Sequence, residues 1–228
     1  MYLYIVRHGE PDYATDTLTE LGQRQAEAVS HRMAASRIEE IYASPMGRAR
    51  QTAAPTAKLL GLPVTVENWA EELGRESQTS YPDGKMKNIF MVPTTLLASQ
   101  ENSAIDMESS LAACPGLSEN GFISRFQYVS DGVDGLIERH GYRRNDRGFY
   151  QAVEPNDKRI ALFCHAGLTR VVLSHVFNIP YQMIGSRFLA WFTGVTVIRF
   201  KHDVEAGSEV APYLYSFGDV GHLQGDPH

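Results

Sequence analysis

The stretch YLYIVRHGE, residues 2–10, holds the reading that decides the fold. Residues 2–6 are a short, almost wholly apolar run, the pattern of a strand covered on both faces. The run stops at Arg7-His8-Gly9, where a fixed cation stands beside an imidazole. A second apolar strand, in RIALFCHAG, ends in the same manner at His165 and Gly167, and LTRVVLSHVFNIP then reads as a helix closed before Pro180.

Outward from the first strand, Thr19 is placed to N-cap a helix in which Ala26, Val29 and Met33 recur at helical spacing. EEIYA is a short strand. Ser44-Pro45 follows it as an N-cap with proline at the first helical position, and residues 46–60 read as helix up to Gly61. PVTVE, VTVIRF and PYLYSF complete the strands. Strands joined by helices of this length imply βαβ crossovers, so the expected fold is α/β: a three-layer α/β/α arrangement around a mostly parallel central sheet. Ligands in such sheets bind beyond the carboxyl ends of the strands, and Arg7-His8, Ser44 to Arg48 and His165 would share that rim. Residues 75–157 break the alternation. They read as an inserted cap within a single 1–228 domain, with one convincing helix in SRFQYVSDGVDGLIERHG.

The composition narrows the function. At 228 residues and 43% hydrophobic content the chain can build one sizeable core. A formal charge of -6 argues against a nucleic-acid surface, which needs dense Lys/Arg stripes. Cys114 and Cys164 form neither a CxxC pair nor a disulfide framework, which points to a reducing cytoplasm. YLYIV is too short for a signal-peptide core, and no apolar run approaches a membrane span, so a soluble protein is expected.

Two arginines, two histidines and a helix start on one rim suit a phosphoryl group. Guanidinium forks bind its oxygens in bidentate fashion, backbone N–H groups add donors, and an imidazole with its other nitrogen held can act as nucleophile. The motifs VRHGE, LTELGQRQA, YASPMGRARQTA and LFCHAGLTRVV, with the closing FGDVGHL, resemble in order those of the histidine phosphatase superfamily, also called phosphoglycerate mutase-like. The resemblance spans residues 1–73 and 159–223. It implies that His8 attacks phosphorus, that Arg7, Arg48 and His165 hold the phosphoryl oxygens, and that a carboxyl group protonates the leaving oxygen. For that acid, family spacing in VENWAEELG favours Glu71, with Glu72 as the adjacent alternative. No cofactor or metal is implied, and the substrate is a small phosphorylated molecule. Pro11-Asp12-Tyr13 depart from the family pattern, which often has Thr or Ser after RHGE and a nearby Asn.

Rival readings share these residues. CHAGLTR, Cys164 to Arg170, satisfies the C-x5-R pattern of cysteine-dependent phosphatases, with Asp83 as their acid, but leaves Arg7, His8 and Arg48 without a task. A metal on His8 and His165 lacks a third ligand at HExxH-like spacing. Between phosphatase and mutase, residues 72–157 hold more acidic than basic residues, apart from the cluster Arg143, Arg144 and Arg147. That favours a phosphatase, with Tyr81, Phe90, Met91 and Phe122 as candidates to line the leaving-group pocket. A non-catalytic phosphate-binding protein of the same fold is the remaining alternative. His31, His140, His175, His202 and His222 receive no role.

Overall fold

A computed structural model describes residues 1–74, 78–80, 86–88, 121–185 and 187–223. In chain order, β1 (Tyr2–Arg7) leads into a small hairpin of β2 (Pro11–Asp12) and β3 (Thr17–Leu18), then α1 (Glu20–Ala35), β4 (Glu40–Ala43), α2 (Gly47–Leu60) and β5 (Val64–Val66). Beyond a 3-10 turn at Asn68–Ala70 come β6 (Gln78–Ser80), β7 (Met86–Asn88), α3 (Phe122–Arg139), β8 (Tyr142–Arg144) and β9 (Tyr150–Ala152). The chain closes with β10 (Arg159–Cys164), α4 (Ala166–Phe177), α5 (Tyr181–Gly185), β11 (Val195–Arg199), β12 (Glu209–Val210) and β13 (Tyr213–Asp219).

The main sheet runs β13-β11-β1-β10-β4-β5. The strands from β1 to β5 pair in parallel, while β11 and β13 are antiparallel additions beside β1. Alternation along the strands divides the core in two. Leu3, Ile5, Ile160 and Leu162 pack with Val129 and Val133 of α3 and Val171 and Val172 of α4. On the other face Val6, Ala161 and Phe163 meet Val29 and Met33 of α1 and Ala53 of α2. Each such fully buried aliphatic or aromatic side chain contributes about 1.5–3 kcal/mol of transfer free energy, which explains why the continuous apolar runs become central strands. Since α1 leaves β1 toward one face and α4 leaves β10 toward the other, the chain parts between the carboxyl ends of these neighbouring strands and opens a crevice there.

Two expectations are revised by packing. Thr19 caps α1 as expected, its Oγ1 accepting from Gly22 N–H at 3.0 Å. Ser44, however, does not cap α2. That helix starts later, with Met46 at its N-cap and no capping side chain of its own, while the Ser44 hydroxyl accepts from Met46 N–H at 3.2 Å and meets His165 Nε2 at 2.8 Å. The helix expected inside the 75–157 insertion is α3, and it starts earlier, at Phe122. Its Phe122, Val129, Val133, Leu136 and Ile137 belong to the larger of the two cores, so this part of the span is a layer of the main fold. Phe122 is fully buried against Phe126 and Tyr181. Tyr81, Phe90, Met91, Asp83 and Cys114 lie outside the described residues. No helix among the described residues is long and apolar enough to cross a membrane.

Candidate active site

The glycines of RHG and ELGQ permit the approach that starts the site. A Cβ on Gly9 would stand 2.7 Å from Gly22 O, and one on Gly22 2.1 Å from Glu10 O, so the turn after β1 lies directly on the first turn of α1. The parallel register pairs Arg7 with Cys164, which places His8 and His165 just past the ends of adjacent strands. Their rings lie 5.2 Å apart between centroids. The backbone of His8 is held on both sides: its N–H donates to Cys164 O at 2.9 Å, and its carbonyl accepts from Thr193 N–H at 3.2 Å.

His8 is 1% exposed. Its Nδ1 lies 2.7 Å from Gly9 O, an atom that can only accept, so Nδ1 carries the ring proton and Nε2 keeps its lone pair. Burial, reinforced by Arg7 and Arg48 and only partly opposed by the Gly9 bond, lowers the His8 pKa to about 3. The imidazole is therefore neutral and nucleophilic at neutral pH. His165 is fully buried and its pKa is pushed well below the usual value by burial, then by His8, Arg48 and Arg7. Its Nε2 lies 2.8 Å from the Ser44 hydroxyl.

Both arginines are anchored through Nη1. Arg7 donates to Ala190 O at 2.6 Å and stacks on the Phe192 ring at 4.2 Å, and Arg48 donates to Asp16 Oδ1 at 2.5 Å. The Nε atoms of Arg7 and Arg48 and Nδ1 of His165 are buried without a hydrogen-bond partner. Two unpaired buried guanidinium N–H donors, with the free ring nitrogen of His165 beside them, are costly in a folded chain unless an anion accepts from them. The set has the charge and the fork geometry for a phosphoryl group.

Arg7, His8, Arg48 and His165 are thus brought together as expected. Glu71 is not. The 3-10 turn buries Trp69 and Ala70 and leaves Glu71 exposed, with its carbonyl accepting from Arg125 at 2.8 Å. Glu72 is the glutamate that turns toward the rim: its Oε1 accepts from Leu168 N–H at 3.0 Å and its Oε2 from Gly167 N–H at 3.2 Å, on the first turn of α4, whose N-cap is His165. Family spacing favours Glu71, but the side-chain contacts of two adjacent glutamates are set by the turn before them, which the sequence does not show.

The sequence also passed over Phe192, whose ring centroid is 5.8 Å from that of His8, and Asp16, which reaches Arg48 from a distant hairpin. Phe192 lies in RFLAWFTG, a segment with no period to flag it. His222 bonds Thr193 Oγ1 at 3.0 Å and so braces the residue behind His8. In CHAGLTR, Cys164 is fully buried and its thiol is pushed up to about 12 by burial. Residues 166–177 are helix, and Arg170 Nε donates to Phe188 O, so no loop wraps an anion around that sulfur. Among the described residues no group of three or more His, Cys, Asp or Glu has the arrangement of a metal site.

The sequence model of the histidine phosphatase superfamily (branch 1) matches residues 3–81. A probable phosphoglycerate mutase, GpmB of Photorhabdus laumondii, is 34% identical over 82 residues, a match that spans 32% of this chain and 38% of that relative. A probable phosphatase of Schizosaccharomyces pombe is 20% identical over 99% of this chain and 97% of its own. Among solved structures, phosphoserine phosphatase from Entamoeba histolytica in complex with 3-phosphoglyceric acid shares the fold with a TM-score of 0.64 at 21% identity, covering 97% of this chain and 98% of that one. A mycobacterial glucosyl-3-phosphoglycerate phosphatase shares it with a TM-score of 0.61 at 18% identity, covering 95% and 98%. Over residues 3–81 the chain is thus similar to the histidine phosphatase superfamily, and over nearly its whole length it shares the fold of these phosphatase structures.

Proposed function

We propose that the protein is a phosphatase that hydrolyses a small phosphomonoester through a phosphohistidine on His8. The observation that carries this reading is the neutral, buried His8, with Nε2 unprotonated, beside the unpaired buried Nε–H donors of Arg7 and Arg48 and the buried His165. Nε2 attacks phosphorus as the bond to the leaving oxygen breaks, and Glu72 is the carboxyl group that passes a proton to that oxygen. Water then attacks the phosphoryl group, Glu72 takes its proton, and inorganic phosphate leaves as the N–P bond breaks. Arg7, Arg48 and His165 hold the equatorial oxygens throughout, which supplies the positioning and positive charge that phosphoryl transfer requires. Because that charge is built in as arginine, hydrolysis persists in EDTA.

Phosphatase is favoured over mutase on two grounds. The basic cluster once available for a second anionic group is committed elsewhere: Arg143 pairs with Glu138, Arg144 with Asp134 and Arg147 with Glu209. The Schizosaccharomyces relative and the Entamoeba and glucosyl-3-phosphoglycerate neighbours, which extend over nearly the whole chain, carry phosphatase names, while the mutase-named relative covers about a third of it. Phosphoserine and 3-phosphoglycerate, ligands of the Entamoeba neighbours, are sensible first substrates to assay.

A rapidly quenched reaction should hold phosphate on the His8 peptide, lost in acid and stable in alkali. Cys164→Ser should keep turnover within a few-fold. Phosphate found on Cys164, or an inactive Cys164→Ser chain, would overturn the assignment, and phosphate binding with no release from any monoester would leave a binding protein of the same fold.

A further inference from the structure

The β2–β3 hairpin folds over the arginines, and Asp16 at its end has features that serve no purpose in the chemistry above. Its carboxylate bridges two positive groups: Oδ1 accepts from Arg48 Nη1 at 2.5 Å and Oδ2 from Gly47 N–H, the first of α2, at 2.6 Å. The side chain is 40% exposed, so it stands at the mouth of the crevice rather than inside the core. Burial pushes the carboxyl up, but the Gly47 N–H and the Arg48 guanidinium outweigh it and hold the group below its usual range, ionised at neutral pH. The backbone is bent to bring it there. Asp16 has φ 53°, in the left-handed region that costs a non-glycine residue energy, and a Cβ on Gly47 would stand 2.3 Å from Asp16 O. The rest of the hairpin holds that shape: Asp12 accepts from Ala14 N–H and Thr15 Oγ1, and Leu18 N–H donates to Gln51 of α2 at 2.8 Å. The ring of Tyr13, 68% exposed, lies 5.5 Å from the Arg48 guanidinium in the same mouth.

A fixed negative charge beside one of the two phosphoryl-binding arginines lowers the positive potential where the leaving group must pass. We propose that Asp16 is the specificity-determining carboxylate of this site, selecting phosphomonoesters whose leaving group carries no second anionic group next to the phosphoryl oxygen. The inference rests on the phosphoryl-binding reading of Arg7, His8 and Arg48 and adds the charge class of the substrate. Arg48 keeps its Nε edge for one phosphoryl group, while its Nη1 edge and the start of α2, which a neighbouring carboxylate or second phosphate would otherwise reach, are already occupied.

Glycerol 2-phosphate and 2-phosphoglycerate test this, because they differ only by a hydroxymethyl group in place of a carboxylate. Their dissociation constants are measured by calorimetry in the His8→Ala chain, where chemistry is blocked, with Asp16 intact and as Asp16→Asn and Asp16→Gly. Both replacements tolerate the left-handed backbone, so the fold survives in at least one. The affinity ratio should shift about three- to tenfold toward 2-phosphoglycerate in both variants, and the shift should shrink as salt rises. An unchanged ratio, or equal losses for both ligands and for inorganic phosphate, overturns the proposal and leaves Asp16 as a brace for Arg48. Failure of the catalytic reading shows separately, as no phosphate released from p-nitrophenyl phosphate by the unaltered chain.

Discussion

At the carboxyl ends of β1 and β10, Arg7 and Arg48 each commit one Nη1 to a protein acceptor and keep a buried Nε unpaired, whereas at the opposite end of the sheet Arg143, Arg144 and Arg147 close onto Glu138, Asp134 and Glu209. The far end is marked by Met1, whose ammonium meets Tyr142 of β8. A histidine belongs to each region as well. His8 has a carbonyl on one nitrogen and nothing on the other, while His175 Nε2 is 2.8 Å from Asp134, which also accepts from Tyr150. The count of cations is similar at both ends, so charge alone does not distinguish a ligand site from structural glue. What distinguishes Arg7 and Arg48 from Arg143, Arg144 and Arg147 is whether a carboxylate already closes each guanidinium or a buried Nε is left unpaired.

Substitutions in matched pairs would break this comparison if it is wrong. His8→Ala should lower kcat by several orders of magnitude, since it removes the nucleophile, with little change in melting temperature. His175→Ala should do the reverse, leaving kcat within about twofold and costing about 1–3 kcal/mol in denaturant titrations, because it leaves Asp134 short of a partner. Arg48→Ala should reduce kcat/KM about 10²–10³-fold in a phosphate-release assay, while Arg144→Ala affects only stability. Equal kinetic losses from both arginines would remove the distinction.

The glutamates sharpen it. Glu72→Gln should slow alkyl phosphates about 10²-fold or more and activated aryl phosphates far less, since only a poor leaving group needs the proton. Glu71→Gln should stay within twofold on both. The opposite pattern would mean that the exposed residue swings in during turnover.

The smallest effect is one of acidity. The folded pKa of His8, about 3, lies below its ordinary 6.5, so between these values the unfolded chain binds a proton that the folded chain does not. Stability therefore rises with pH through this window and falls on acidification, by on the order of a few kcal/mol from this group. Melting curves from pH 7 to 4 should show His8→Asn gaining on the unaltered chain as pH drops. Added phosphate should offset the loss, because an anion favours the imidazolium.

Much of this rim could be read in the sequence because it depends on strand ends. Continuous apolar runs before Arg7-His8 and His165 identify central parallel strands, and the rule that ligands bind beyond their carboxyl ends needs no further contact information. Features that depend on distant partners could not be read. Ser44-Pro45 carries the local signal of a helix start, yet the hydroxyl goes to His165, 121 residues away. Asp16 gives no hint of a left-handed backbone or of Arg48. Glu71 and Glu72 are equivalent until the turn at Asn68–Ala70 decides which one faces solvent. The segment holding α3 seemed an insertion because its partner, α4, follows only after the hairpin of β8 and β9.

The pinning of His8 between Cys164 O and Thr193 N–H has a stereochemical consequence. On the phosphohistidine route proposed above, a ring whose backbone is held from both sides and whose Nδ1 meets Gly9 O keeps one position between the two half-reactions. Leaving alcohol and incoming water must then use the same face of the phosphoryl group, each in line with the one fixed nitrogen. Each displacement inverts phosphorus, and two inversions restore the original hand. A phosphoryl group made chiral with oxygen isotopes and passed to an acceptor alcohol should therefore emerge with its configuration retained.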